Sequence, residues 1–219
     1  VYCLHVDPLS SRVFSGSSDR MVGAWNTEQL IPDSFSIKLD APVFSLEKVD
    51  QLLLVGQGSG GVHIIDLLTK KEVRHLKYHS LPVFKILAHP IKPYLYFLGG
   101  DGNLSIVDST DFSLRWSLPI SDDKLRAVAL DAKKEKLLIG SSDGFIRILE
   151  TEYYNVLGER LAHEGGVYDM AWLTAEKLLT VGRDGHIRIW NYKGDQLFES
   201  ESIPAHNFAI YSIDFSPSG

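Results

Sequence analysis

Gly56, Gly58 and Gly61 follow the apolar run at Gln51–Leu54 with the spacing G-x-G-x-x-G. That spacing opens loops that cradle a dinucleotide pyrophosphate, and the chemistry makes two further demands. A helix must begin inside the loop so that its N-terminus faces the phosphates, and a carboxylate about 20 residues further on must hold the ribose. Here the loop runs into Val62–Asp66, VHIID, whose valine and two isoleucines favour an extended chain. The residue at the ribose position is Leu81. The glycines therefore belong to a turn, and no nucleotide or other cofactor is expected.

Eight histidines among many aspartates raise metal and acid–base chemistry next. His79, His163 and His206 recur at one place in a repeating pattern, which marks them as structural, and His63 and His186 fall in extended segments. No H-x-x-x-H pair lies on a helical segment, and no Cys/His cluster has zinc spacing, so no metal site is expected. A serine followed by an aspartate, as at Ser18-Asp19 and Ser142-Asp143, is common in turns and does not imply a nucleophile. No catalytic residues are assigned and the chain is not expected to be an enzyme.

The elements that position these residues come from an internal repeat. Six segments share one pattern: VYCLHVDP from Val1, VFSLEKVD from Val43, VFKILAHP from Val83, LRAVALDA from Leu125, VYDMAWLT from Val167 and IYSIDFSP from Ile210. Each of the first five leads into a second strand-like run, a glycine-containing turn, and a third run, as in KLLIGSSDGFIRILE and KLLTVGRDGHIRIWN. A fourth apolar stretch follows, such as Ser34–Leu39 or Glu72–Leu76. Short strands, turns and a period of about 42 describe a series of four-stranded antiparallel sheets. The motif VGQGSGG occupies the hairpin turn between second and third strands, where its glycines are expected to supply positive φ angles. In that turn the other repeats place Asp19, Asp101, Asp143 and Asp184, and this one has Ser59.

This pattern resembles the WD40 repeat over nearly the whole chain. The third runs end in Trp25-Asn26, Ile65-Asp66, Val107-Asp108, Leu149-Glu150 and Trp190-Asn191, in place of the family's Trp-Asp. The resemblance implies an all-β, WD40-like β-propeller of five complete four-stranded repeats plus one extra strand, forming a single domain or part of one over residues 1–219. Repeats begin near 1, 43, 83, 125 and 167, with a sixth begun at 210. The family's hydrogen-bonded tetrad maps in full onto the fifth repeat, as His163, Thr180, Asp184 and Trp190. The first repeat holds Ser15, Asp19 and Trp25. Since the family's rings usually have seven blades, five repeats are expected to be part of a larger ring, completed by further segments of a longer protein or by a second chain; an open arc would leave apolar sheet faces in water.

Composition limits the partners. With 44% hydrophobic and 23% charged residues the chain has the make-up of a soluble globular protein, and its net charge of −6 argues against a general nucleic-acid binder. No apolar run approaches the roughly 18 residues of a membrane span, so no membrane partner is expected. Cys3 is the single cysteine, which fits a reducing, cytoplasmic setting.

The residue after the first apolar position of each segment is Tyr2, Phe44, Phe84, Arg126, Tyr168 or Tyr211. In each segment the opening apolar residue is out of phase with the later pair, as Val1 is with Leu4 and Val6, which predicts a bulge. A bulge there turns the aromatic or arginine toward the channel rim, on the narrow face where, by the resemblance, peptides dock; the alternative is that these rings pack between sheets. Ser18, Gly100, Ser142 and Arg183, just ahead of the turn aspartates, are expected on the same surface, with Gly58 matching them. The expected function is a non-catalytic scaffold that binds a peptide or partner subunit there. The alternatives are a structural subunit of a larger assembly, and less favourably an enzyme hosted on a propeller.

Overall fold

The computed structural model describes residues 1–7 and 9–215. Among them there is no helix, and the chain forms twenty strands in five antiparallel four-stranded meanders. The first sheet is β1 (Cys3–Asp7), β2 (Arg12–Gly16), β3 (Met21–Asn26) and β4 (Ile31–Lys38). The second is β5 (Val43–Val49), β6 (Leu52–Gln57), β7 (Gly61–Asp66) and β8 (Lys71–Lys77). The third is β9 (Val83–Ala88), β10 (Tyr94–Gly99), β11 (Asn103–Asp108) and β12 (Leu114–Pro119). The fourth is β13 (Leu125–Leu130), β14 (Lys136–Ser141), β15 (Phe145–Glu150) and β16 (Val156–Leu161). The fifth is β17 (Val167–Thr174), β18 (Lys177–Gly182), β19 (His186–Lys193) and β20 (Gln196–Pro204). Ile210–Phe215, where a sixth repeat was expected to begin, is in no strand, although Ile210 donates its N–H to Gly182 O at 3.0 Å. The expected repeat's last residues, 216–219, lie outside the described residues.

The chain gathers into two compact units, Val1–Pro119 with three sheets and Ile120–Gly219 with two. Within the first unit, Phe14, Val22, Ala24 and Phe35 of the first sheet meet Val43, Leu46, Leu53 and Val55 of the second. The far face of the second sheet, with Leu54, Val62 and Ile64, meets Ile86, Leu95, Phe97 and Val107 of the third. Within the second unit, Leu138, Ile146 and Ile148 cluster with Val167, Met170, Leu178 and Trp190. The second sheet is thus covered on both faces, which is why β6 reads as an unbroken apolar run; β10 and β14 are likewise buried, while β8, β12 and β16 are largely exposed.

The turn between second and third strands differs in detail from the expectation. Positive φ falls on Gly60 (88°), Gly102, Gly144 and Gly185, and on none of the three glycines of the nucleotide-like spacing. Gly60 donates to Gln57 O and lies so close to the next loop that a Cβ would sit 2.2 Å from His79 O. Gly56 is required for a different reason: a Cβ there would meet Ser45 Oγ at 2.1 Å and Val83 O at 3.0 Å. In the first sheet the positive-φ place is held by Arg20, at 72°.

Candidate interaction site at the bulged inner strands

The phase slip seen in the sequence is a bulge in the ladder. Pairing jumps from Val43 to Ser45, from Val83 to Lys85, from Leu125 to Ala127 and from Val167 to Asp169, so that the register of the ladder passes over Phe44, Phe84, Arg126 and Tyr168. Skipping one residue turns its side chain out of the two-residue alternation. Tyr2 precedes β1 and donates its N–H to Gly16 O.

In the first unit these side chains form a row. Tyr2 stacks on Phe44 with centroids 4.9 Å apart and planes 8° from parallel, and Phe44 meets Phe84 edge to face at 5.3 Å. In the second unit the Arg126 guanidinium lies over the Tyr168 ring at 5.0 Å, and Tyr168 stacks on Tyr211 at 5.2 Å. Tyr2 is 57% and Tyr211 72% exposed, and Phe44, Phe84, Arg126 and Tyr168 are half-buried. The rings therefore both pack on one another and keep one side open.

Residues expected beside them are partly brought together. Gly58 lies under Phe44 and Gly100 under Phe84, where a Cβ would stand 3.2 Å and 3.0 Å from the respective ring carbons. Ser142 Oγ accepts the Arg126 Nε–H at 2.9 Å. Ser18 and Arg183 are exposed, the latter passing over Gly165. Gly140–Gly144, GSSDG, also has the G-x-S-x-G spacing of a hydrolase nucleophile, but it turns from β14 into β15 with no helix behind it, and Ser142 instead braces Arg126.

The loops beneath are fixed by polar networks. In the fifth sheet the buried Trp190 Nε1–H donates to Thr180 Oγ1 at 2.9 Å. Thr180 Oγ1 lies 2.8 Å from His163 Nε2, and His163 Nδ1 lies 2.8 Å from Asp184 Oδ1. The contacts Trp190–Thr180–His163–Asp184 give each of these four groups a partner, and Arg188 Nη1 also lies 2.7 Å from His163 Nδ1. Burial would raise the Asp184 carboxyl, but hydrogen bonds from Arg188 and His163 outweigh it and hold it well below the usual carboxylate range. His163 itself is lowered by burial, against the pull of Asp184.

The other turn aspartates vary this theme. Asp101 faces His79 Nδ1 at 3.0 Å, and Asp143 accepts from Ser121 Oγ at 2.8 Å and pairs with Arg147. Asp19, which is exposed, accepts only the Met21 N–H and nearby loop groups. The second sheet, with Ser59 at the aspartate position, uses Gln57 instead. Its Nε2 donates to Asp40 at 2.8 Å while Oε1 faces His63 Nε2 at 2.7 Å, and His63 Nδ1 lies 2.6 Å from Glu72. Among the described residues no group of three or more His, Cys, Asp or Glu side chains is arranged to hold a metal ion.

The description "WD domain, G-beta repeat" matches residues 155–191, which hold the tetrad. The chain is 26% identical over 95% of its length to human WD repeat-containing protein 81, and 25% identical over 92% of its length to WD repeat-containing protein 91 of Gallus gallus. Residues 155–191 thus match a WD40 repeat, and the chain as a whole is similar to WD repeat-containing proteins. The chain spans 12% of the first relative and 31% of the second. Among solved structures it superposes on a chain of the Mitotic Checkpoint Complex with a TM-score of 0.86 at 19% identity, covering 95% of this chain and 66% of that one. It also superposes on the Swd1 β-propeller domain with a TM-score of 0.77 at 18% identity, covering 91% and 70%. The five sheets are thus β-propeller blades, and WD-repeat proteins are generally protein-interaction scaffolds.

Sequence reasoning missed two polar centres. One is the Gln57–His63 network, and the other is Glu47, a carboxyl 19% exposed between inner strands. Glu47 looks like a solvent-facing strand residue, and only the neighbouring blades reveal its surroundings.

Proposed function

We propose that the chain is a non-catalytic scaffold that captures a protein segment on the face where the inner strands begin. The observation that carries this is the bulge itself. At Phe44, Phe84, Arg126 and Tyr168 the ladder is broken in the same way, and each break lifts an aromatic or arginine side chain out of the strand's alternation. Half-open aromatic rows with an arginine suit interface hot spots, where Tyr, Trp and Arg dominate. Arg126, held over Tyr168 and braced by Ser142, and the exposed Arg183 favour a segment with an acidic group. The partner is a protein or peptide, with neither nucleic acid nor membrane as ligand, in a reducing cytoplasmic setting.

The test is selection of peptides from a displayed library on the immobilised chain, repeated on Phe44→Ala and Tyr168→Ala. Enriched peptides should bind these variants at least tenfold more weakly, a loss of about 1.4 kcal/mol or more. Equal binding to wild type and both variants would refute the site. Arg126→Ala with Arg183→Ala should weaken acidic peptides selectively; no loss with that pair removes the acidic-group reading alone.

A structural role in a larger assembly is favoured by a separate observation, the open face of the first blade. Leu4, Val6 and Trp25 there are 63%, 59% and 47% exposed. The matching face of the second blade, with Leu46, Leu53 and Val55, is covered by the first. A further blade, from this protein or from a second chain, is the covering that the repeated packing supports.

A further inference from the structure

Glu47 lies in β5, three residues below Phe44, and its carboxylate reaches both neighbouring inner strands. Oε1 accepts the Ala88 N–H of β9 at 3.1 Å, and Oε2 lies 3.6 Å from His5 Nδ1 on β1. β1, β5 and β9 belong to three different sheets, so no ladder joins them and this one carboxyl bridges all three. β5 and β9 also carry Phe44 and Phe84, and Tyr2 stands immediately ahead of β1, each three or four residues above the bridge.

The charged and titratable groups around the bridge come from each packed element. β1 contributes His5, Asp7 and Cys3, β5 itself Lys48, and β9 Lys85, while across β6 the partner of Glu47 is the apolar Leu54. Asp7 is engaged by Lys48 at 3.2 Å and by Ser10. Burial pushes the Cys3 thiol up to about 12, so it stays neutral. Burial pushes the Glu47 carboxyl up to about 7, against the Ala88 N–H and the Lys85 charge, which favour the ionised form. Burial also lowers His5, against the pull of Asp7, and so favours its neutral imidazole.

We propose that Glu47 is a proton-operated tie that sets the geometry of the Tyr2–Phe44–Phe84 row, and so regulates binding there; the regulatory part rests on the proposed function above. As a carboxylate, Glu47 holds β9 through a charge-assisted bond from Ala88. A proton taken from solvent onto Oε2 turns that oxygen into a donor aimed at the lone pair of neutral His5 Nδ1. The Ala88 bond becomes a neutral one, roughly half as strong. The new O–H···N bond closes the 3.6 Å gap to below about 3 Å, drawing β1 toward β5. The link shifts from the Phe84 strand to the Tyr2 strand, and the two ring contacts of Phe44 change in opposite senses.

The experiment is NMR of the whole chain across pH, following the Glu47 carboxyl carbon, the Ala88 amide and the rings of Tyr2, Phe44 and Phe84, with the apolar dye ANS as probe of the row. The Glu47 carboxyl should titrate near neutrality, and Ala88 and the rings should shift with the same midpoint. ANS affinity should change by at least about twofold between about pH 6 and about pH 8. Glu47→Gln, which mimics the protonated form, should abolish both responses, and His5→Asn should remove the Tyr2 response while leaving that of Ala88. A Glu47 carboxyl that titrates in the ordinary acid range, or rings that ignore its titration, overturns the tie. Rings that titrate while ANS affinity stays constant overturn the regulatory role. The ring titration needs no ligand, so failure of the peptide-binding reading shows separately, as peptides that bind Phe44→Ala as well as wild type.

Discussion

Trp190 and Thr180 meet across β18 and β19 with the indole N–H 2.9 Å from the threonine hydroxyl oxygen, both side chains fully buried. Since the same hydroxyl lies 2.8 Å from His163 Nε2, one threonine terminates the tryptophan's donor and links it to the loop that carries His163 and Asp184. Thr180→Val keeps the shape and removes both bonds, leaving the indole N–H and the imidazole nitrogen buried without partners. The expected cost is about 2–4 kcal/mol in urea-unfolding midpoints followed by Trp fluorescence. Thr180→Ser keeps the bonds and loses one methyl, with an expected cost of about 1 kcal/mol. A valine variant as stable as the serine variant would show that the network contributes nothing net.

Arg20 offers the opposite experiment. Its φ of 72° falls where Gly60, Gly102, Gly144 and Gly185 sit in the other blades, and its side chain is exposed. A left-handed backbone costs a residue with Cβ about 1–2 kcal/mol, partly offset by the greater freedom of glycine in the unfolded chain. Arg20→Gly should therefore stabilise the chain by up to about 1 kcal/mol. The mirror change, Gly60→Ala, drives a Cβ into the His79 carbonyl and should destabilise it. Thermal unfolding of the two variants beside wild type gives the signs.

Much of this was legible in the sequence because it depends on residues close along the chain. The strand triplets and the bulge beneath Phe44 and Tyr168 follow from spacing within one repeat, and the tetrad of the fifth blade from the resemblance of that repeat to the WD40 pattern. What was not legible depends on neighbours about forty residues away. Glu47 meets Ala88 and His5 from the blades on either side, and Gly56 lies against Val83 of the next blade as well as Ser45 of its own. The turn glycines show a finer limit: the motif spacing drew attention to Gly56, Gly58 and Gly61, whereas the backbone needs positive φ at Gly60.

Glu47 also predicts a pH dependence of stability. Its folded carboxyl is raised to about 7 from an unfolded value of 4.5, so the folded state binds the proton more tightly. The stability this contributes is fully present below about pH 4.5 and is lost as the pH rises through about 7. The lowered His5 works the other way, its contribution being present above about 6.5 and lost on acidification. Wild type should therefore weaken relative to Glu47→Gln by about 3 kcal/mol between those limits and run parallel to it above them. Urea midpoints at matched pH values measure the difference, and parallel curves throughout would contradict the raised carboxyl.

The open face of the first blade leads to a prediction about association. Leu4, Val6 and Trp25 present an apolar surface whose counterpart in the second blade is buried against Phe14, Val22 and Phe35. Apolar sheet faces of this kind drive association when nothing covers them. The 219-residue chain should therefore self-associate with rising concentration, as read by light scattering after size exclusion. Leu4→Lys with Val6→Lys should reduce that association, because each lysine would have to be desolvated in any contact made there. A longer chain extended at both ends should be monomeric if its own blades cover the face. Should the 219-residue chain itself run as a stable monomer over the full concentration range, the exposed face needs no further blade, and the assembly reading falls while the aromatic rows of Phe44 and Tyr168 keep theirs.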